Sequence, residues 1–351
     1  MNFITTRTEA LKELEHFIEK KIFNYSTQRN FDYGPHDRKN ISCLSPYITH
    51  RLITEFETTK IVLSKRSYQK VEKFVQEIFW RIYWKGWLEL RPRVWSDFLE
   101  DLKDIKEDDK YLNAINAKTD LVCFNDWVQE LKNYNYLHNH TRMWFASIWI
   151  FTLKLPWQLG AEFFMKYLFD GDPASNTLGW RWVAGLQTIG KHYLASSSNI
   201  NKYTNNKYKN LQLGDHAEAI ISEKSYSAEQ LNIKNPQLDQ VKEIFIFDNY
   251  LLIEQDDLVN LNLKKVYLIE NDNAHRSILL DQGVVNFKNN LILDQADRLK
   301  KDNIDHDIIK INELKLLGNV KYAYYPNIGE NLDFPLKNHL TNLNFIYRDI
   351  D

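Results

Sequence analysis

The sequence predicts a mainly α protein that ends in a small α/β domain. From Glu9 to about Tyr193, apolar residues recur at three- and four-residue spacing, as in VEKFVQEIFWRIYWKGWLEL, which places them on one face of a helix. Further on, short β-rich runs such as EIFIF, KKVYLIE and DIIKI alternate with the helical segments GVVNFKNNLILDQADRLKKD and ENLDFPLKNHL. We therefore expect a helical domain over 1–205, a linker or surface excursion over 206–242, and an α/β domain over 243–351.

The composition indicates a large core without covalent cross-links. Hydrophobic residues make up 44% of the 351 residues, enough to bury a substantial core. Cys43 and Cys123 are too few for a disulfide framework or a four-thiolate metal centre, so we expect a reducing, cytoplasmic location. The most apolar run, residues 143–153, is too short to span a bilayer, and we expect no membrane partner. Because the net charge is −2, any nucleic acid must bind to a local basic face.

The first segment with residues suited to chemistry is ISCLSP, residues 41–46. It places hydroxyls and free backbone amides before a predicted helix start at Pro46. This arrangement suits a phosphate group, and it suits plain helix capping equally well. The chain has no G-x-G-x-x-G or G-x-x-x-x-G-K-[ST] motif, so both interpretations remain open.

The second segment is the predicted helix through residues 77–81, which read EIFWR. Glu77, Trp80 and Arg81 follow the i, i+3, i+4 spacing, so one face displays an acid, an indole and a guanidinium. The alternative is a tryptophan stripe facing the core with an ion pair at its edge, and without further observations that alternative is favoured.

The third segment, residues 138–144, reads HNHTRMW. Asn139, Arg142 and Met143 share a helical face by the same spacing. The two histidines are two positions apart and do not share one face, and no HExxH motif occurs in the chain. We therefore expect no metal site.

The fourth segment, residues 170–182, reads DGDPASNTLGWRW. Asp172 is a good N-cap for a helix that begins at Pro173, and both interpretations of the segment include this capped start. In one interpretation Trp180 and Trp182 simply lie in the core. In the other, carboxylates, an amide and two indoles serve a common site.

Taken together and in this order, the four segments resemble the FAD-binding domain of the DNA photolyase/cryptochrome family. ISCLSP is similar to the T-S-R-L-S-P phosphate loop, and EIFWR is similar to the start of E-L-x-W-R-E. HNHTRM is similar to H-N-R-x-R-M, and DGDPASNTLGWRW is similar to the family's D-G-D-x-A-x-N segment with its W-Q-W end. The resemblance covers about residues 20–205. It implies an all-helical FAD-binding domain, followed here by the small α/β domain.

The resemblance implies FAD as the cofactor. The acids at the start of the fourth segment would face the isoalloxazine and the ribose, with Arg142 paired to Asp170, and Asn176 would lie near flavin N5. The phosphate loop together with Tyr25 would hold the pyrophosphate. The residues that the resemblance assigns to FAD are Tyr25, Ile41, Ser42, Cys43, Leu44, Ser45, Arg81, Arg142, Asp170, Gly171, Asp172 and Asn176.

The activity implied is light-driven repair of cyclobutane pyrimidine dimers in DNA, a carbon–carbon lyase reaction. Reduced FAD would donate an electron to the dimer after absorbing a photon, and the electron would return once the dimer has split. The residues implied for the lesion pocket, where a flipped dimer stacks on indoles, are Arg29, Glu77, Trp80, Asn139, Met143 and Trp182. The residues implied for catalysis, including the tryptophan chain that photoreduces oxidised flavin, are Glu77, Asn139, Asn176, Trp180, Trp157 and Trp95.

The sequence departs from the family's pattern at several positions. Cys43 replaces the usual arginine of the phosphate loop, LQTIGKHYLASSSNINKYT replaces the F-R-x-F-N-P region beside the DNA groove, and Arg181 stands where glutamine is usual. Only about two dozen residues precede Tyr25, so we expect the N-terminal antenna domain to be missing. We also expect the chain to be a monomer. Single-stranded DNA is our hypothesis for the preferred substrate.

Two other functions remain open. A cryptochrome-like blue-light photoreceptor would bind FAD and signal without repair, and it has no evident need for Glu77, Asn139 and Met143. A flavin fold used only for structural binding would need neither Asn176 nor a tryptophan chain. Repair is therefore the predicted function.

Overall fold

A computed structural model describes residues 3–214, 216–230, 243–248, 251, 263–316, 322–324 and 344–346. The helices of these ranges are α1 (Arg7–His16), α2 (Ile22–Gln28), α3 (Ser45–Thr49), α4 (Glu55–Lys65), α5 (Tyr68–Glu89), α6 (Arg93–Asp104), α7 (Asp109–Ile115), α8 (Val122–Tyr134), α9 (Asn139–Ser147), α10 (Trp157–Tyr167), α11 (Pro173–Ala184), α12 (Ser197–Tyr203) and α13 (Gln282–Lys301). Two π-helical turns, Phe17–Lys21 and Ile148–Thr152, continue α1 and α9.

Helix boundaries follow the capping residues that the sequence carries. The Thr6 side chain accepts a hydrogen bond from the Glu9 amide at the start of α1, and Asp172 accepts from the Ser175 amide at the start of α11. Pro46 and Pro173, which were predicted to mark helix starts, lie in the first turns of α3 and α11, which confirms that prediction, and Pro92 and Pro156 are the N-caps of α6 and α10.

The α/β part is a parallel sheet with one long helix. Its strands are β1 (Glu243–Phe247), β2 (Lys265–Glu270), β3 (His306–Lys310), β4 (Tyr322–Tyr324) and β5 (Asn344–Ile346), in the order β3-β2-β1-β4-β5. Helix α13 connects β2 to β3 and packs against both strands. The predicted fold class, mainly α with a small C-terminal α/β part, is confirmed. The predicted helix ENLDFPLKNHL lies outside the described residues.

The sheet and the first helices share a hydrophobic core. One cluster of buried side chains contains Leu14 of α1, Phe74 of α5, Ile246 of β1 and Leu291 of α13. A second cluster joins α6, α8, α9, α10 and α11 around buried indoles such as Trp149. The sheet therefore packs directly on helices that come more than 150 residues earlier in the chain. The predicted domain boundaries stay predictions.

The segment after α12 lies on the helical part. The Tyr208 hydroxyl donates to the Asp126 carboxylate on α8 at 3.0 Å, and the Ile220 amide donates to the carbonyl of Ala184 at 2.9 Å. Near the end of the described segment, the Glu229 amide donates to the Leu90 carbonyl at 2.7 Å. Between residues 206 and 230, the part that the structure describes is thus held to α5, α8 and α11.

Helices long and apolar enough to cross a membrane do not occur among the described residues. In the same ranges, no group of three or more His, Cys, Asp or Glu residues is arranged to hold a metal ion. Cys43 and Cys123 are both buried and unbridged.

Candidate functional site

The centre of the candidate site is the acidic loop, which consists of Asp170, Gly171 and Asp172. Both carboxylates are buried. The loop is held at the start of α11 because the Asp172 carboxylate accepts hydrogen bonds from the Ser175 amide at 2.8 Å and the Ser175 hydroxyl at 2.5 Å. The capped-helix interpretation is therefore correct as a description of the local backbone, and it leaves the carboxylates available for a second role.

Asp170 joins three of the four sequence segments. Arg142 of α9 donates to its carboxylate at 2.9 Å, which is the ion pair that the resemblance implied. The Ser45 hydroxyl, at the first residue of α3, donates to it at 2.5 Å. Burial alone would raise the pKa of Asp170, but the charge of Arg142 and these hydrogen bonds hold the pKa below its usual range. Asp170 is therefore ionised at neutral pH.

Asp172 faces the second segment. Burial would raise its pKa, but the positive charges of Lys85 and Arg81 on α5 lower it below the usual value. Lys85 was not predicted from the sequence, although it follows Arg81 by four residues and so lies on the same helical face. It is buried, and burial together with neighbouring Arg51 lowers its pKa to about 7. All four segments thus converge on the two buried acids.

The predicted phosphate loop, Ile41 to Ser45, is compact and largely buried. Cys43 has a positive φ of 55°, an uncommon conformation for a residue other than glycine. Burial raises the pKa of its thiol to about 11, so the thiol is neutral and supplies none of the charge that the family's arginine would. Tyr25 lies against Phe17 and Phe74, with ring centres 5.7 and 5.3 Å away. Its predicted contact with the pyrophosphate stays a prediction.

The predicted lesion-pocket residues lie around α5, α9 and α11, and α11 packs against both of the other helices. On α5, Trp80 is 51% exposed and its ring stacks on Trp84 at 5.8 Å. Arg29 lies 3.4 Å from the Glu77 carboxylate, whose side chain is 41% exposed. These side chains do not face the core, so the alternative interpretation of the second segment as a core stripe is wrong for Trp80.

The other predicted pocket residues differ in how exposed their side chains are. Asn139, the first residue of α9, is exposed, and Met143 is half-buried one turn later. Trp182 is half-buried, and its ring stacks on Tyr193 at a centre-to-centre distance of 5.7 Å. Their roles in the pocket stay predictions.

The three predicted electron-transfer tryptophans are buried. Trp180 packs on Gly160 of α10 and lies 6.1 Å from Trp149, an indole that the sequence reasoning did not single out. Trp157 stacks on Phe98 at 5.5 Å, and Phe98 contacts Trp95 at 5.3 Å, so a phenyl ring separates these two indoles. Burial agrees with the core interpretation and with the electron-transfer interpretation alike.

Several polar groups in this region suit FAD. The Asn176 amide nitrogen donates to the Ala161 carbonyl at 2.8 Å, which leaves its side-chain oxygen for a ligand such as flavin N5–H. Among the described residues, the buried Nε of Arg81 and the indole nitrogen of Trp180 have no hydrogen-bond partner. Buried unpaired donors are costly unless something else accepts from them. The donor set therefore fits a large polar cofactor.

Comparison with known families supports this fit. Residues 74–212 match the family model for the FAD binding domain of DNA photolyase. The predicted resemblance to the FAD-binding domain of the DNA photolyase/cryptochrome family is thus confirmed for this part of the chain. Because the matched part is this family's FAD-binding domain, the predicted cofactor is confirmed as FAD.

Individual photolyases and cryptochromes show how much of the chain is shared. A deoxyribodipyrimidine photo-lyase of Agrobacterium fabrum is 30% identical over 186 residues, which cover 51% of this chain and 38% of that protein. The deoxyribodipyrimidine photo-lyase of Alkalihalophilus pseudofirmus is 28% identical over 202 residues, 52% of this chain and 39% of that one. The crystal structure of a Synechocystis cryptochrome is similar in fold, with a TM-score of 0.51 and 19% identity over 58% of this chain and 44% of that chain. The chain thus spans about two fifths of the length of the curated photolyases that it matches.

Proposed function

We propose that this chain is a light-driven, FAD-dependent lyase that splits cyclobutane pyrimidine dimers in DNA. The observation that carries the proposal is the convergence of the four segments: Asp170 contacts Ser45 and Arg142, while Asp172 lies beside Arg81. The relatives named above as deoxyribodipyrimidine photo-lyases support the reaction class.

The acidic loop and its partners would bind and orient the cofactor. When bound, FAD supplies the photochemical electron that splits the dimer. Asp170 and Asp172 would accept hydrogen bonds from the cofactor, and Asn176 would accept from N5–H. Arg142, which is held by Asp170, places a fixed positive charge where a negative charge on the cofactor would be stabilised. The ring of Tyr25 and the amides of residues 41–45 would complete the binding site.

Glu77 and the exposed indole of Trp80 would bind the lesion. A half-exposed indole offers a flat surface on which a flipped pyrimidine can stack. The Glu77 carboxylate, which is oriented by Arg29, would hydrogen-bond the dimer and stabilise the charge that develops on it. Asn139, Met143 and Trp182 would form the remaining walls.

The repair assay uses a thymine-dimer oligonucleotide, reduced FAD-loaded protein and blue light. Glu77→Gln should lower the rate about 10- to 100-fold, because a hydrogen bond to a charged group contributes about 1.5–3 kcal/mol. Glu72→Gln is the matched control, since Glu72 lies on the same helix and binds only Gln76 in the described structure. A Glu77→Gln variant that repairs as fast as the wild type contradicts the assigned role.

The same assay separates the alternatives. Protein that binds FAD and bleaches under light, yet leaves the dimer intact, supports a photoreceptor rather than a lyase. We further propose a preference for single-stranded DNA, because the segment after Trp182 departs from the family pattern beside the DNA groove. Equal repair rates in single- and double-stranded oligonucleotides would remove that preference.

A further inference from the structure

Arg181 occupies a buried position between two aromatic rings. Its guanidinium carbon lies 5.2 Å from the ring centre of Tyr226 and 6.0 Å from that of Trp157. Both distances suit cation–π contacts. Arg181 follows Trp180 directly on α11, so it links the predicted electron-transfer residues to the segment that crosses the helical part after α12. The family resemblance left this arginine without a role.

Of Arg181, Trp157 and Tyr226, only Tyr226 both contacts solvent and donates a hydrogen bond to a group that can accept its proton. It is half-buried, and its hydroxyl donates to the Asp97 carboxylate of α6 at 3.0 Å. Lys224 lies 3.7 Å from the same carboxylate and 2.7 Å from Asp101. Burial raises the pKa of Tyr226, with Asp97 contributing in the same direction, so the phenol is protonated at neutral pH.

Oxidation of a phenol is favourable only when a nearby base accepts its proton. A carboxylate 3.0 Å from the hydroxyl is within the distance at which a base accepts a proton. The positive charge of Arg181 acts on Trp157, because a fixed cation disfavours a positive charge on the adjacent indole ring. Both effects favour transfer of the oxidised state from Trp157 to Tyr226.

We propose that Tyr226 is the outermost electron donor of the photoreduction path, with Arg181 as a positioning residue. This inference rests on the proposed flavin photochemistry. One electron leaves Trp157 for Trp180 and reaches oxidised FAD after light absorption, which leaves Trp157 as a radical cation. Tyr226 then gives one electron to Trp157 and its phenolic proton to Asp97, which yields neutral Trp157, a neutral tyrosyl radical and protonated Asp97. A thiol in solution then gives a hydrogen atom to Tyr226 and becomes a thiyl radical, and Asp97 releases its proton to solvent.

Two other aromatic residues are less suited to this position. Trp95 is 3% exposed and lies on the far side of Phe98 from Trp157, so an external reductant reaches it poorly. Tyr111 lies 6.0 Å from Trp149 but is buried, and no carboxylate of the described residues accepts from its hydroxyl. Tyr111 is therefore the matched control.

The test compares wild type, Tyr226→Phe and Tyr111→Phe as FAD-loaded proteins under blue light with a thiol. Flavin bleaching is followed by absorbance, and the radical is identified by electron paramagnetic resonance in protein grown with ring-deuterated tyrosine. Wild type and Tyr111→Phe should show a signal that narrows on deuteration, and Tyr226→Phe should lose that signal and bleach more slowly. FAD content and unfolding temperature report whether each variant is folded.

Two further variants test the mechanism. Asp97→Asn should make bleaching depend on pH, because the phenolic proton must then pass to water or buffer. Arg181→Gln should retain FAD, but it should bleach more slowly and give a weaker tyrosyl signal. A tyrosyl signal that persists in Tyr226→Phe, or bleaching that is unchanged, overturns this inference alone. Wild type that bleaches without repairing DNA overturns the proposed lyase activity alone. Wild type that does not bleach, yet repairs DNA once its FAD has been reduced chemically, overturns this inference alone.

Discussion

The close contact between α10 and Trp180 permits a direct test of the packing around the predicted electron donor. A Cβ atom added at Gly160 would lie 2.2 Å from one indole carbon of Trp180, 2.5 Å from another and 3.0 Å from the indole nitrogen of Trp149. Ordinary contacts begin at 3.4 Å. In Gly160→Ala the Trp180 ring must therefore retreat by about 1.2 Å into a core that is already close-packed.

The expected cost follows from two opposing effects. Overpacking a core typically costs about 1–3 kcal/mol, and a 1.2 Å overlap with a rigid ring belongs at the upper end of about 3 kcal/mol. Alanine is preferred over glycine in a helix by about 0.5–1 kcal/mol, which offsets part of this cost. We expect Gly160→Ala to lower the free energy of unfolding by about 2 kcal/mol.

The matched control is Gly179→Ala on α11, because a Cβ atom there meets nothing within 4 Å. The same substitution should raise the free energy of unfolding at this site by about 0.5–1 kcal/mol. Urea unfolding of the FAD-loaded proteins measures both values, and the rate of flavin bleaching reports whether the displaced Trp180 still donates. If Gly160→Ala is as stable as Gly179→Ala, the close packing of Trp180 on α10 is wrong.

Two other predictions concern the buried acids. Asp170→Asn should weaken FAD retention, because Arg142 then has no buried counter-charge. Retention is measured as flavin absorbance per protein after gel filtration. Ser45→Ala removes one hydrogen bond to Asp170 and should lower the free energy of FAD binding by only about 1 kcal/mol. Burial would raise the pKa of Asp248, but the charges of Lys288 and Arg276 hold it well below the usual range, so its stabilisation is present above about pH 4 and is lost as the pH falls. The unfolding free energy of wild type should therefore fall more steeply below pH 4 than that of Asp248→Asn; parallel curves would contradict this assignment.

Local patterns in the sequence predicted most of the helical part. Apolar spacing predicted the long α5, and the N-cap Asp172 followed by Pro173 predicted the start of α11. The resemblance of four ordered segments also predicted the contact between Arg142 and Asp170. These features depend on residues close together in the chain or on a pattern shared by a family, so one sequence is enough to find them.

The contacts that the sequence did not predict join distant parts of the chain. His50 lies 3.1 Å from the Asp248 carbonyl, although 198 residues separate them, and no local pattern relates the two. From the sequence alone, Lys85 has the pattern of an exposed residue on an amphipathic helix. The structure shows that it is buried and that its charge interacts with Asp172. The role of Arg181 likewise depends on Tyr226, which lies in a polar segment whose sequence carries no periodic signal.

The position of the α/β part gives it a direct effect on the acidic loop. Phe169, the residue before this loop, stacks on Phe287 of α13 with ring centres 4.3 Å apart. The His50 ring donates from Nε2 to the Phe169 carbonyl at 2.9 Å, and the Asp281 amide donates to the Lys166 carbonyl at 2.8 Å. Burial lowers the pKa of His50 to about 3, so its ring stays neutral and this hydrogen bond is unaffected by titration at neutral pH. The connection between α10 and α11 is therefore held by His50 of the helical part and by α13 with its N-cap Asp281, so the geometry of the two acids proposed to face FAD depends on a helix that begins more than 100 residues further along the chain.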